Sequence, residues 1–528
     1  MKHDPLKLPR GWVGATIGEL IPAEGIFIDG DWVESKDQDP DGDVRLIQLA
    51  DVGDGVFRDK SSRFLTRQKA QQLNCTFLEK GDLLIARMPD PLGRCCIFPL
   101  SGARKFVTVV DVCAVRLGKK SANPKFLAHL INSPQVRAAI GALQSGSTRK
   151  RISRGNLATI KMRIAPRLEQ DRIVAKLEEL FSELEKGIEY LAIAQEQLKA
   201  YRQAVLKNAF EGKLTAEWRE KNKSKLKSAE ELIACIQRER DVRYEQQLVE
   251  WKSAIMDWER KGKKGKKPSK PKRPETIALA NLPSTSLPTG WAWVAVGNLN
   301  VEVFDGPFGS NLKTSDYVAD GVRVIRLENI GHLEFLDDKR SYVTTEKYKS
   351  LAKHTVRSGD IIVSSFVTDG IRVAILPNTV AQAVNKADCF CLRVCGVTVR
   401  NEFVASFLAS RTAYKQVESE VHGIGRPRIN TTQLRGFAVP LCSREEQNEI
   451  ISLLHEKWSL ADNVETVIRN QVDKCEALRQ SILKLAIMGG LVSQDPNEES
   501  ALMLLERIKS EKAGQNKDTK NNKRMDAA

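Results

Sequence analysis

The sequence predicts an α+β protein in which two mixed α/β domains form a pseudo-twofold repeat, separated by two long antiparallel coiled-coil helices. The first observation is a repeat along the whole chain. Leu-Pro-x-Gly-Trp at residues 8–12 returns at 287–291, and Arg-Gln-x-x-Leu-Lys at 202–207 returns at 479–484, so the offset falls only from 279 to 277 residues. The second observation is the mixture of strand and helix patterns in each half, and the third is a heptad pattern after each. A period this long indicates one duplicated domain unit, which suits a two-part target.

Residues 1–165 are predicted to form the first mixed domain. Apolar runs at 44–49, 83–86 and 107–115 are separated by Gly, Asp and Asn, which is typical of strands. Residues 126–131 and 136–143 have the spacing of helices. The repeat predicts that residues 281–440 form a second domain of the same kind.

A long helix is predicted over residues 166–215, and its repeat over 441–490. Residues 169–208 contain no Pro and one Gly, and Leu or Val recurs there every seven residues, which indicates a coiled coil. Two helices of equal length in one chain are natural partners, although each could instead pack only on its own domain. The predicted seam residues are Leu177, Leu184, Leu191, Leu198, Val205, Leu454, Ile468, Leu478 and Ile482.

The remaining segments carry weaker patterns. Residues 216–280 are predicted to hold short helices and a basic linker, and 491–515 a short C-terminal helix. The amphipathic stretches at 228–240 and 500–512 resemble each other, and an exposed helix of this kind suits docking of another protein. Residues 516–528 are predicted to be a disordered tail.

The formal net charge of +16 favours a polyanionic partner, but the charge is unevenly distributed. Nine positive charges and no acid lie in residues 260–273, where a solvated linker is the favoured interpretation. Ten cysteines are scattered without paired spacing, which indicates buried thiols rather than a metal site. No apolar leader or membrane-length run is visible, so we expect a cytoplasmic protein.

Catalytic signatures are missing from the sequence. It contains no Walker-type phosphate loop, no dinucleotide fingerprint, no His-Glu-x-x-His and no Gly-x-Ser-x-Gly. The Asn-Pro-Pro-aromatic segment of amino-methyltransferases is also missing, and the six histidines do not match across the repeat. The chain is therefore predicted not to be an enzyme, and no metal ligand is assigned.

One pair of loops and one further loop are candidates for DNA contact. Residues 145–153 and 423–430 are glycine-containing loops with two or more basic residues, and Arg in such loops can contact phosphates or guanine edges. A surface turn whose Arg residues pair with nearby carboxylates is the alternative. Residues 305–313 form a further candidate that diverges from the corresponding residues 29–36, as expected if each half reads a different sequence. The candidate DNA-binding residues are Arg149, Lys150, Arg151, Arg426, Arg428, Ser310, Asn311 and Lys313.

Three motifs in this order resemble a known family. These are Leu-Pro-x-Gly-Trp at the start of each half, Glu-Gln-Asp-Arg-Ile-Val at 169–174, and the run from Arg-Gln at 202–203 to Gly-Lys-Leu-Thr at 212–215. Together they resemble the specificity subunits of type I restriction-modification systems (the HsdS family), over nearly the whole chain. The second long helix departs from the pattern, because it ends in Met-Gly-Gly-Leu at 488–491.

The resemblance implies two target-recognition domains that each bind one half of a split, asymmetric DNA site. It implies assembly with two methyltransferase subunits, which bind S-adenosylmethionine and methylate adenine, and in some complexes with two restriction subunits that defend against phage DNA. No cofactor is expected in this chain itself. The competing hypotheses are a coiled-coil scaffold without a DNA role, which leaves the paired basic loops unexplained, and a stand-alone DNA-modifying enzyme, which needs the missing motifs.

Overall fold

The computed structural model describes residues 8–88, 91–118, 121–146, 150–279, 282–419 and 427–525, with side chains up to Gly514. The chain divides into two compact units. The first comprises Met1–Ala192 and Arg469–Ala528, and the second comprises Ile193–Ile468.

The first unit contains a four-stranded antiparallel sheet of order β2-β8-β5-β6, a three-stranded sheet of order β4-β3-β7, and the antiparallel pair β1-β9. The only parallel ladder among these strands joins β3 to β7. The strands are β1 (Val13–Thr16), β2 (Ile26–Asp29), β3 (Val44–Ile47), β4 (Arg63–Leu65), β5 (Leu83–Ala86), β6 (Cys95–Ile97), β7 (Phe106–Thr108), β8 (Val112–Arg116) and β9 (Lys161–Ile164). The apolar run 107–115, predicted as one strand, is split by a turn at 109–111 into strands of two different sheets.

The second unit repeats this topology with two additional edge strands, β12 and β15. It contains sheets of order β11-β19-β16-β17 and β12-β14-β13-β18-β15, the antiparallel pair β10-β20, and a parallel ladder between β13 and β18. The strands are β10 (Ala292–Ala295), β11 (Val301–Phe304), β12 (Tyr317–Val318), β13 (Val322–Ile325), β14 (Ser341–Val343), β15 (Thr355–Val356), β16 (Ile361–Val367), β17 (Ile371–Ile375), β18 (Ala383–Asn385), β19 (Cys389–Val394) and β20 (Ala438–Leu441). The predicted α+β repeat is thus confirmed.

Fourteen α-helices complete the described chain. They are α1 (Ile17–Leu20), α2 (Arg67–Gln72), α3 (Pro124–Ile131), α4 (Pro134–Ala142), α5 (Arg154–Thr159), α6 (Arg167–Phe210), α7 (Ala216–Asn222), α8 (Ala229–Arg260), α9 (Thr345–Ser350), α10 (Asn401–Leu408), α11 (Arg411–Lys415), α12 (Thr431–Gly436), α13 (Arg444–Ile487) and α14 (Ala501–Met525). None of them, in the residues described, is long and apolar enough to cross a membrane.

The segment predicted as short helices and a flexible linker is more ordered than expected. Helix α8 spans 32 residues, because a capping box at Ser228 starts it and no Gly or Pro interrupts it. The basic segment then returns along this helix. The indole N–H groups of Trp251 and Trp258 donate to the carbonyls of Pro268 and Gly265, at 3.1 and 3.2 Å. Helix α14 likewise runs to Met525, past the predicted helix end at 515, through residues with no Pro.

The two long helices, α6 and α13, are antiparallel. In the first unit Glu185 pairs with Arg479, at 3.4 Å between Oε1 and Nη1. In the second unit Arg202 pairs with Asp462 and Glu465, at 2.6 and 2.9 Å. Moving seventeen residues forward in α6 therefore moves the partner seventeen residues back in α13. This is the pairing of a coiled-coil-like antiparallel contact.

A heptad pattern predicts two rows of inward residues, at its a and d positions, and the structure follows the first of these rows. All eight seam residues predicted from the first row are buried or half-buried in the structure; they are Leu177, Leu184, Leu191, Leu198, Val205, Leu454, Ile468 and Ile482. Leu478 was predicted from the second row, and this prediction is wrong because the residue is 50% exposed. The inward row of α13 lies one residue further on, where the ion-paired Glu465 and Arg479 are half-buried. A search for apolar residues alone does not find this row, because it contains charged residues that form ion pairs.

A buried tryptophan–glutamate contact closes each unit and explains two of the repeated motifs. In the first unit the indole N–H of Trp12 donates to both carboxylate oxygens of Glu169 at 3.1 Å. In the second, Trp291 donates to Glu446 at 2.9 Å. The tryptophan ends the Leu-Pro-x-Gly-Trp motif, and the glutamate lies in the first turn of the long helix. The motif therefore ties the start of each mixed domain to the helix that follows it.

A glycine with positive φ packs against the proline of each Leu-Pro-x-Gly-Trp motif. Gly212 (φ 68°) follows α6, and a Cβ there would lie 2.4 Å from Cγ of Pro288. Gly489 (φ 74°) follows α13, and its Cβ would lie 2.6 Å from Cγ of Pro9. Both the left-handed conformation and the close approach require glycine. Residues 488–491 differ from the family pattern, but they retain Gly489, which is the residue that this contact requires.

Candidate nucleic-acid interface

Three chain segments meet at one edge of the first unit. They are the segment after β2, the turn between β7 and β8, and the basic loop before α5. Arg87 joins them, because its Nη1 donates to Asp29 at 2.6 Å and to the carbonyl of Val110 at 3.0 Å, while its Nε donates to the carbonyl of Ile152 at 2.9 Å. The part-buried Arg87 therefore joins all three segments, in addition to the direct backbone hydrogen bonds between Asp31 and the turn.

The second unit builds the same edge with different side chains. The backbone N–H of Ile429 donates to the carbonyl of Ser365 at 2.8 Å, as Ile152 donates to Arg87 at 3.1 Å in the first unit. Asp388 in the turn before β19 then accepts from Ser365 Oγ at 3.1 Å and pairs with Arg428 at 3.3 Å. The backbone frame repeats, and the side chains that join the loops do not.

In each unit a glycine lets the segment after the edge strand, β2 or β11, pack closely against the neighbouring turn. A Cβ on Gly30 would lie 2.0 Å from the carbonyl oxygen of Val109, and one on Gly306 would lie 2.2 Å from the carbonyl carbon of Lys386. No side chain fits at either place, so the backbone path is fixed there. The structure thus matches Asp29-Gly30 to Asp305-Gly306 within the two segments that the sequence comparison treated as divergent. The divergence begins at the next residue.

The predicted DNA-binding residues that the structure describes lie on exposed loops at these edges. Lys150 and Arg151 are exposed, and Arg151 exchanges two backbone hydrogen bonds of 2.9 Å with Ser145. Ser310, Asn311 and Lys313 are exposed as well. Their loop is anchored by the buried side chain of Leu312 and by a hydrogen bond from the Lys313 N–H to Asp316 at 2.7 Å. The candidates Arg149 and Arg426 lie outside the described residues.

Arg428 has both free surface and a local carboxylate. Its side chain is 55% exposed, yet its guanidinium pairs with Asp388 and lies 4.3 Å from the ring centroid of Phe366. The alternative from the sequence, a basic loop paired locally, therefore describes part of what Arg428 does. A partly exposed, stacked guanidinium remains able to contact an incoming phosphate or guanine.

Two aromatic residues at these edges were missed by the sequence reasoning. Trp32 is 71% exposed and Phe308 is 66% exposed. Trp32 borders a groove of about 820 Å³ that is also lined by Gln48, Arg63 and Arg94. The available signal was their common distance of two residues from the matched glycines Gly30 and Gly306, which an alignment by motif alone does not show.

Burial raises the pKa of Asp31, next to Trp32, to about 6, although the Thr76 N–H and the Cys75 thiol donate to it. Its unfolded value is about 3.9, so the folded protein holds this proton more tightly. Its contribution to stability is therefore greatest below about pH 4 and is lost as the pH rises through about 6.

We expect Asp31→Asn to remove this loss and to raise stability at neutral pH by about 1–2 kcal/mol, after allowance for partial exposure. Thermal unfolding between pH 4 and 8 measures the effect, with the exposed Asp41→Asn as the control. Parallel pH profiles for wild type and Asp31→Asn would contradict this assignment.

Comparison with known proteins agrees with this architecture. Residues 9–191 match the family model described as type I restriction modification DNA specificity domain. The EcoBI specificity subunit of Escherichia coli is 26% identical over 411 residues, covering 76% of this chain and 74% of the relative. The EcoDI subunit of the same species is 26% identical over 380 residues, covering 70% and 72%.

A solved chain from work on complex assembly and conformational transition of a type I R-M system has the same fold. Its TM-score is 0.60 at 17% identity, with 92% of this chain and 100% of that chain covered. Residues 9–191 thus match a DNA specificity domain, and the chain over about three quarters of its length is similar to type I restriction-modification specificity subunits.

Proposed function

We propose that this chain reads a bipartite, asymmetric DNA site for a type I restriction-modification complex, with one half-site contacted by the loop edge of each unit. The observation that carries the proposal is the repetition of the edge. Both units hold their loops on one backbone frame through Gly30 and Gly306, while the exposed residues that follow differ. Two units that share a backbone arrangement but differ in their exposed contact residues suit a DNA site whose two half-sites differ in sequence.

A domain graft tests this proposal. Residues 8–165 are replaced by the corresponding domain of a relative that methylates a different motif, with the joints placed at the β1-β9 pair. We expect methylome sequencing to show one half of the motif changed and the other intact. A folded, active chimera in which both halves change would contradict separate reading, and the wild-type complex in the same host is the control.

The exposed basic residues should contribute in two distinguishable ways. An alanine variant that loses a phosphate contact should lower the slope of log affinity against log salt by about 0.9, uniformly over sequences. A variant that loses a guanine contact should instead cost about 1–3 kcal/mol at one base pair. Single alanine variants of Lys150, Arg151, Lys313 and Arg428 are titrated against Lys221→Ala, which changes an exposed lysine on α7. Unchanged binding in all four would remove these loops from the interface.

The long helices offer a surface for partner subunits. Beside their seam, several large apolar residues remain exposed; they are Tyr190, Leu460, Val464, Val467, Leu478 and Leu485. We propose that the two methyltransferase subunits dock on these faces, which would bury apolar surface that folding leaves in water. In this proposal S-adenosylmethionine and methyl transfer belong to those subunits, with restriction subunits added where the complex also cuts DNA.

A further inference from the structure

The two loop edges share an exposed aromatic ring. The chain has 17 phenylalanines and 8 tryptophans, all within the described ranges, and the exposed ones are Trp32 and Phe308. Each stands two residues after the glycine that closes its loop against the neighbouring turn. Each also follows the edge strand of the corresponding four-stranded sheet, β2 or β11. Two exposed rings out of twenty-five therefore occupy the same place in the two units.

Folding gives no reason for this exposure. An aromatic side chain buries about 150–250 Å² when it packs, and at about 25 cal/mol per Å² this amounts to several kcal/mol that each unit does not use. The Trp32 ring is nonetheless oriented, because its indole N–H donates to Glu34 at 3.1 Å. The segment after Phe308 is also ordered, since the Asn311 N–H donates to the Phe308 carbonyl at 2.8 Å. Both exposed rings therefore lie on ordered loops.

The surroundings of the rings indicate what they contact. The loop of Phe308 also carries the exposed Lys313, and the edge of Trp32 includes the basic loop with Lys150 and Arg151. Exposed cations beside an apolar ring fit a ligand that offers phosphates and flat apolar surfaces together. DNA offers both, since cations neutralise the backbone while a ring can stack on a base or insert at a base step.

We propose that Trp32 and Phe308 pack directly against bases, one ring in each half-site. This rests on the proposed function and extends it by naming the apolar base contact of each unit. The rings supply affinity without releasing counterions, whereas the neighbouring lysines and arginines supply the salt-dependent part.

The test uses the full chain assembled with its methyltransferase subunits and a duplex that carries the cognate site. We expect Trp32→Ala and Phe308→Ala each to weaken binding by about 5- to 150-fold, the range for loss of one base–aromatic stack, with an unchanged salt slope. Trp32→Phe should retain most of the affinity. Val56→Ala and Val397→Ala change equally exposed apolar residues of the same two units and should have little effect.

Two further duplexes assign each ring to its half-site. With the first half-site scrambled, the loss caused by Trp32→Ala should disappear while that caused by Phe308→Ala persists, and the reverse should hold for the second. Unchanged cognate affinity in both variants, or losses that ignore which half is scrambled, would overturn the inference. So would variants that bind DNA normally but fail to retain the methyltransferase subunits. If wild type does not prefer cognate over scrambled DNA, the proposed function fails and the inference fails with it.

Discussion

Replacing Glu446 by alanine is expected to lower the free energy of unfolding of the second unit by about 3–5 kcal/mol. The carboxylate is 1% exposed and accepts hydrogen bonds from Thr215 and Arg219 at 2.8 Å and from Trp291 at 2.9 Å. Removing it leaves the part-buried guanidinium of Arg219 without its anion. Removing one partner of a buried pair costs far more than the net value of the pair.

Two control variants distinguish the loss of the Glu446 charge from the loss of its buried hydrogen bonds. Glu446→Gln keeps the shape and one acceptor oxygen, so we expect a smaller loss of about 1–3 kcal/mol. Glu445→Ala changes the preceding, exposed carboxylate in the same helical turn and should cost less than about 1 kcal/mol. The free energy of unfolding is measured by denaturant titration, with hydrogen exchange used to assign the loss to the second unit. Equal effects of the changes at 445 and 446 would show that the buried contact adds nothing.

Leu454→Ala is the second large effect, with an expected loss of about 2–5 kcal/mol. Leu454 is fully buried in the core of the second unit, where Ile450 and Val205 are also buried, and truncation would leave a cavity. Leu478→Ala is the matched change on the same helix at a residue that the heptad pattern also placed in the seam. Because Leu478 is half exposed, its effect on unfolding should stay within about 0.5 kcal/mol.

The same pair of variants tests partner docking. Leu478→Ala should weaken association with the methyltransferase subunits while leaving the isolated chain stable, and analytical ultracentrifugation of the mixture measures this. A Leu478→Ala chain that unfolds as readily as Leu454→Ala would restore Leu478 to the seam. A stable Leu478→Ala chain with wild-type association would remove it from the docking surface.

The sequence was informative where structure follows from repetition and periodicity. The register of the repeat predicted two mixed domains. Leu177 and Leu454 are buried in the structure, as expected because a 3.6-residue turn brings every seventh residue to the same face. Local signals also predicted the loops on which Lys150 and Lys313 are exposed. In each case the residues concerned are neighbours along the chain or along one helix face.

Contacts between distant residues were not predictable in this way. Trp12 and Glu169 are 157 residues apart, and each motif was visible while their hydrogen bond was not. The seam row with Glu465 and Arg479 was missed because ion pairs satisfy inward charges that a hydrophobic pattern excludes. Trp32 was missed because exposure depends on what the rest of the fold leaves uncovered. Tertiary partners decide all three.

The β1-β9 pair has a consequence for how such proteins change over generations. Val13 lies opposite Ile164 and Thr16 opposite Lys161, so the chain enters and leaves the first mixed domain through adjacent strands. The β10-β20 pair does the same for the second, from Ala292 opposite Leu441 to Ala295 opposite Ala438. The chain between these strands is therefore one continuous segment with adjacent ends, which a single recombination event can exchange where contacts with the long helix, such as that of Asn123 with Asp171, are kept. One such event replaces a whole loop edge at once, whereas point mutations change it residue by residue.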